Sequence, residues 1–180
     1  MEKIKIIGAR SYEEVRDLCH EIKQMDAFTI VHTIAQQLYP ALPDKCILIP
    51  VPGHDGKATY TLKLAKAIVL QATFNDTAEK IVQGIDVLDI LRSAPHKSLC
   101  EIKHENGDAN KVKLHVFQPT FLKRQILDAY IEQGYAPVLV DNVIDTGKTA
   151  KACLDALGLD EASILVIGST RAENQITFES

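Results

Sequence analysis

The chain lacks a CxxC pair, a basic excess and any long apolar run near its first residue, and each absence closes a class of function. Cys19, Cys46, Cys100 and Cys153 are scattered through apolar segments, where each fits as a small hydrophobe without zinc-ligand or redox-motif spacing. A formal charge of −4 argues against a general nucleic-acid binder, whose basic face normally shows in the overall balance. The opening "MEKIKIIGARSYEE" turns polar directly after Ile6 and Ile7, so the expectation is neither signal peptide nor membrane span, in a reducing, cytoplasmic protein. Internal repeats and low-complexity linkers are also missing. What remains is 180 residues, 46% hydrophobic, enough for one domain over 1–180 with a well-buried core.

Strand and helix signals alternate along that domain, which predicts an α/β fold. "KIKII" reads as a first strand. Ser11 and Glu14 have capping-box spacing ahead of Val15, Leu18 and Ile22, which predicts a helix. A second helix follows on Ile30, Val31, Ile34, Ala35 and Leu38, ended by the prolines of "YPALPDK". "CILIPV" is wholly apolar, as strands buried on both faces of a parallel sheet are, and Pro52, Gly53 and Gly56 end it. A helix restarts at about Thr59, burying Leu62, Ala65, Ile68 and Val69.

The middle of the chain reads differently. "KVKLHVF" alternates strictly and "SLCEIKH" partly mirrors it across "ENGDAN", which predicts a β-hairpin with Asn106 and Gly107 at its tip. Arg92, Lys97, Lys103, Lys111 and Lys113 make it locally positive, as binding residues or as the lysines of a solvated edge. Beyond it, Leu122, Ile126, Leu127, Tyr130 and Ile131 mark a helix that Gly134 can terminate. "PVLV" and "SILVIG" then flank a helix begun at Thr149, a βαβ unit whose loop lies at the carboxyl end of a strand.

That loop, "VLVDNVIDTGKTA", holds the chemistry. Gly147, Lys148 and Thr149 suggest a nucleotide-triphosphatase P-loop, but the glycine needed five residues earlier is Asn142, so the spacing fails. A structural connection with threonine caps is one remaining reading. The other is a monophosphate cup: Gly147 lets successive amides turn inward, the helix start adds positive potential, and the Thr146 and Thr149 hydroxyls donate. Asp141 and Asn142 would then meet the vicinal hydroxyls of a phosphorylated ribose.

The same residues resemble the signature of the type I phosphoribosyltransferases: an apolar strand, acids, and a T-G-x-T loop. "IDTGKT" is similar to the loop of hypoxanthine-guanine phosphoribosyltransferases. "ILIPVPGHDGKATYTLKLAKAI" is similar to the pyrophosphate-loop segment of competence-associated relatives. The resemblance implies a three-layer sandwich with a mainly parallel central sheet and a small hairpin hood at about 89–117, with Arg92 and Lys97 near its base. It also implies nucleotide metabolism, such as purine salvage, and a homodimer.

Roles follow from that resemblance. Thr146, Gly147, Lys148 and Thr149 would anchor the 5-phosphate of 5-phosphoribosyl-1-pyrophosphate, and Asp141 and Asn142 its ribose. Pro52, Gly53, His54, Gly56 and Lys57 would cradle pyrophosphate, with Mg2+ bridging hydroxyls and pyrophosphate and touching the chain indirectly through Asp141. Asp145 would be the general base toward a nucleobase or amine; an Asx turn is its structural alternative. Asp55 would repel pyrophosphate unless it reaches the metal or turns away. Asn142 stands where the family has a second acid, which removes negative charge beside a cationic sugar. Phe178 is the one aromatic after "SILVIGST" available to stack on a base. A non-catalytic sensor of the activated sugar or of a nucleotide is the second reading. With no DNA-binding motif or recognition helix as output, the sequence favours the enzyme.

Overall fold

The structure, a computed structural model, describes residues 2–23, 28–74, 83–105, 107–108, 112–119 and 121–178. In chain order it begins β1 (Glu2–Ile7), β2 (Arg10–Ser11), α1 (Tyr12–Glu21), α2 (Phe28–Leu38), β3 (Lys45–Pro50) and α3 (Thr59–Phe74). The middle holds β4 (Gly84–Val87), β5 (Arg92–Ser93), α4 (Leu99–His104) and β6 (Val116–Phe117). The last third is α5 (Phe121–Glu132), β7 (Ala136–Ile144), α6 (Lys148–Leu157), β8 (Glu161–Ser169) and β9 (Gln175–Phe178). Among these, no helix is long and apolar enough to cross a membrane.

Alternation along the central strands sets the layers. In β3, Cys46 and Leu48 enter one core and Ile47 and Ile49 the other; in β8, Leu165 and Ile167 oppose Ile164 and Val166. Successive side chains of a strand point to opposite faces, so a strand apolar at every position needs cover on both. Val15 and Cys19 of α1, Ile34 and Leu38 of α2, and Leu64 and Ile68 of α3 cover the first face. Leu127 of α5 and Cys153, Leu154 and Leu157 of α6 cover the second. Strand order is β4-β3-β7-β8-β1-β9, with β2 beside β8. All pairings within this sheet are parallel except β1 with β9. The architecture is α/β with a mostly parallel, mixed central sheet, compatible with a three-layer sandwich. Cys19, Cys46 and Cys153 are buried and outside any disulfide, as small hydrophobes in that core.

The expected hairpin is corrected. "SLCEIKH" is not a strand but α4, and its start explains why: Ser98 N–H donates to Glu101 Oε2 (2.7 Å) while Glu101 N–H donates to Ser98 Oγ (3.0 Å). This reciprocal capping box satisfies two amides at the helix start and so favours a helix over a strand here. Among the described residues of "KVKLHVF" only Val116 and Phe117 are strand, paired antiparallel with Ser93 and Arg92. Asn106 and Lys111 lie outside the described residues. At Ser11, where a capping box was also expected, α1 does begin, but with no hydrogen bond from the Ser11 side chain. Gly134 closes α5 as predicted, at φ +81°.

The segment after β3 is locked to Ser93 and His96, in the segment of the expected hood. Gly56, at φ +82°, approaches so closely that a Cβ there would lie 2.1 Å from Ser93 O. Ser93 N–H donates to Gly56 O (3.1 Å) and His96 N–H to His54 O (2.9 Å). Gly56→Ala is therefore expected to cost about 2–3 kcal/mol, combining left-handed strain with a backbone collision. Urea melts of the two proteins check this; equal midpoints would show that the hood gives way freely.

Candidate functional site

Helices leave the neighbouring strands β3 and β7 toward opposite faces: α3 packs in the first core and α6 in the second. Such a divergence opens a crevice at the carboxyl ends of the two strands, where ligands of open α/β sheets bind. A cleft of about 530 Å3 lies there. It brings together the predicted Pro52, Gly53 and His54 from the end of β3 with Asp141, Asn142, Asp145, Thr146, Gly147, Lys148 and Thr149 from β7 and the start of α6. Gly56, Lys57, Arg92 and Lys97 stand outside its lining. Arg92 pairs with Asp89 (2.6 Å) and Lys97 with Glu105 (2.8 Å), so each cation neutralises an acid of its own segment.

β7 runs four residues past its apolar stretch, carrying Asp141 and Asn142 on rigid sheet backbone. Burial pushes the half-buried Asp141 carboxyl up to about 7, although the Asn142 N–H donating to its Oδ1 (2.8 Å) and Lys23 both pull downward. Asn142 is 7% exposed. Its Nδ2 donates to Cys19 O (3.4 Å), and the Cys19 thiol donates back to Asn142 O (3.8 Å). A second acid at 142 would set a carboxylate against that carbonyl, acceptor facing acceptor, so the amide is what lets β7 dock on α1.

Gly147 sits at φ +80° as the residue before α6, and a Cβ there would meet Ile176 Cδ1 at 2.7 Å and Phe178 Cζ at 3.4 Å. Phe178 thus packs beneath the loop against the second core, rather than standing in the cleft to stack on a base. The first bond shown within α6 is Lys151 N–H to Gly147 O (2.8 Å). Helix geometry leaves the amides ahead of it without intrahelical acceptors, aimed out of the helix start. Thr146 Oγ1 faces Lys148 N at 3.4 Å. Asp145 is exposed at the cleft, and its Oδ1 accepts from Thr170 Oγ1 (2.7 Å).

The 52–57 loop is closed on itself. Gly53 N–H donates to Lys57 O (2.9 Å) and Gly56 N–H to Gly53 O (3.0 Å). Asp55 turns away from the cleft to accept from Lys57 N–H (3.0 Å). His54 Nδ1 lies 3.5 Å from His96 Nε2. Partial burial first, then His96 and Lys23, hold its imidazole below the ordinary histidine range, against Glu101 and Asp55.

Sequence reasoning missed one whole wall. Tyr12, Cys19, His20 and Lys23 line the cleft from α1 and just beyond it. Their spacing of i, i+7, i+8 and i+11 is one stripe of a helix, a signal that was present but lacked a partner motif. Glu101 and His104 of α4 line the opposite side, and the hairpin reading hid them.

Asp141→Asn tests the strain at the strand end. A carboxyl raised to about 7 in the folded state makes the protein lose stability as pH climbs from about 4 to 7, with the full penalty above. The variant is expected to equal the parent near pH 4 and to gain on the order of 4 kcal/mol at pH 8. Thermal melts across that range check it; a gain independent of pH would show that desolvation of charge is not the cause. Among known proteins, no family model matches the chain, and no curated sequence matches it.

Proposed function

We propose that the cleft binds 5-phosphoribosyl-1-pyrophosphate and that the protein transfers its phosphoribosyl group to a nitrogen acceptor, such as a nucleobase, on a type I phosphoribosyltransferase-like fold. One observation carries the reading. The "DNVIDTGKT" segment and the "PGH" segment meet in one cleft at the point where the helices after β3 and β7 diverge. A helix start suited to a terminal phosphate, a carboxylate suited to ribose hydroxyls and a second loop suited to another anion then lie in a single crevice.

In this reading Thr146, Gly147, Lys148 and Thr149 hold the 5-phosphate and Asp141 faces the ribose. The C1–oxygen bond breaks, pyrophosphate leaves with the electron pair, and the acceptor nitrogen forms its bond to C1 while Asp145 takes the proton. Thr170 keeps the Asp145 carboxylate turned to one side. No cluster of three metal-ligating side chains occurs among the described residues. That donor set still fits magnesium, which binds through one or two carboxylates together with substrate phosphates; Asp141 would hold it indirectly, and it would supply charge neutralisation at the diphosphate.

The closed 52–57 loop favours a second reading, a sensor that binds the activated sugar without turnover, because the Gly53, Gly56 and Lys57 amides are already bonded within the loop. One assay separates the two: magnesium and phosphoribosyl pyrophosphate with a panel of nucleobases and amines, followed by pyrophosphate release. Turnover with an acceptor establishes the enzyme, saturable binding without release establishes the sensor, and absence of binding overturns both. In the enzyme, Asp145→Asn is expected to lower kcat by about a hundredfold or more with little change in sugar affinity. Gly147→Val is expected to abolish binding, since strain and the Ile176 contact displace the loop. Equal losses of affinity in the two variants would contradict these roles.

A further inference from the structure

The positive charge at the β3 end of the cleft does not come from the residues the sequence singled out. Arg92 and Lys97 are paired within the hood, and Lys57 lies outside the lining. Lys23, just past the end of α1, lines both the main cleft and an adjoining hollow of about 230 Å3 formed with Gly53, His54, Asp55 and Tyr60. Its Nζ stands 5.9 Å from the centroid of the Tyr60 ring, a cation–π distance that draws the stem across the hollow. Lys148 lines the main cleft but not this hollow. The cleft therefore carries one lysine at the start of α6 and another beside the 52–54 segment.

We infer that Lys23 is the residue that binds the diphosphate of the sugar substrate, facing the leaving group at the β3 end while α6 holds the terminal phosphate. This rests on the phosphoribosyl reading above. Breaking the C1–oxygen bond puts further negative charge on the leaving diphosphate, and an ammonium beside it gains attraction as that charge develops. Lys23 can act while the loop amides remain bonded to one another, which removes the objection raised by the closed loop. Among the groups that face His54 are Lys23 from the end of α1, Tyr60 from α3, His96 and Glu101 from the hood side, and Asp55 from its own loop. The His54 imidazole thus serves as a local reporter of the Lys23 charge.

The test is titration calorimetry with inorganic pyrophosphate and, separately, ribose 5-phosphate, each with magnesium, on the parent protein, Lys23→Met and Lys23→Arg. An NMR titration of His54 in the ligand-free proteins accompanies it. Lys23→Met is expected to weaken pyrophosphate binding about tenfold or more, to leave ribose 5-phosphate binding unchanged and to raise the His54 pKa. Lys23→Arg is expected to restore most of the pyrophosphate affinity. Unchanged pyrophosphate affinity, equal weakening of both ligands, or an unmoved His54 titration overturns the assignment of Lys23 alone. A parent protein that binds neither ligand overturns the phosphoribosyl reading, and this inference with it.

Discussion

Everything at the cleft depends on β7 being paired on both sides. Its ladder with β8 runs in parallel register from Val138 to Ile144, while β3 pairs with it from Ala136 to Val140. Val138, Leu139 and Val140 are 0% exposed, so their burial holds the strand in place and the β8 ladder carries it on through Asp141 and Asn142. Two polar residues are thereby drawn into the sheet at the edge where loops emerge. Burial raises the pKa of the first, and the second is satisfied only by turning its amide to the backbone of α1. A rigid acid at a strand end follows from packing the strand, and this is also what positions it for a ligand.

The parallel direction shared by β3 and β7 has a second consequence. Both loops exit at one edge, and because α3 and α6 take opposite faces, neither helix covers the gap between them. The crevice is a by-product of covering a fully apolar sheet on both sides. Gly56 and Gly147 then let backbone pass where any side chain would collide, with Ser93 in one case and Ile176 in the other.

Much of this was readable from residue order. The apolar strands, the helices after them and the divergence of "DNVIDTGKT" from a triphosphatase loop all rest on periodicity and spacing, which packing reinforced. What escaped was set by contacts distant in sequence. β4 and β9 are four residues each, too short to show alternation without the strands they pair with. The hairpin failed because the period of "SLCEIKH" was read ahead of its capping box, although Ser98 and Glu101 carried the stronger local signal. Asn142 read as a missing acid, because nothing local reveals that its neighbour is the Cys19 carbonyl, 123 residues away in the chain.

An acidic chain with a polyanion-sized cleft raises a question of charge that the two perturbed groups answer. Without a ligand, Asp141 is pushed toward its protonated form and His54 toward its deprotonated form, so burial drives both to neutrality. Under the proposed reading, a diphosphate entering with a divalent cation would oppose both shifts, favouring the ionised Asp141 beside the cation and the protonated His54 beside the anion. The attraction then comes from local features, Lys23 at one end and Lys148 with the start of α6 at the other, rather than from the total charge of −4. Field inside a crevice walled by low-dielectric protein is set by the nearest charges, so Lys23 and Lys148 can each attract an anion locally although Asp145 and Glu101 line the same cleft.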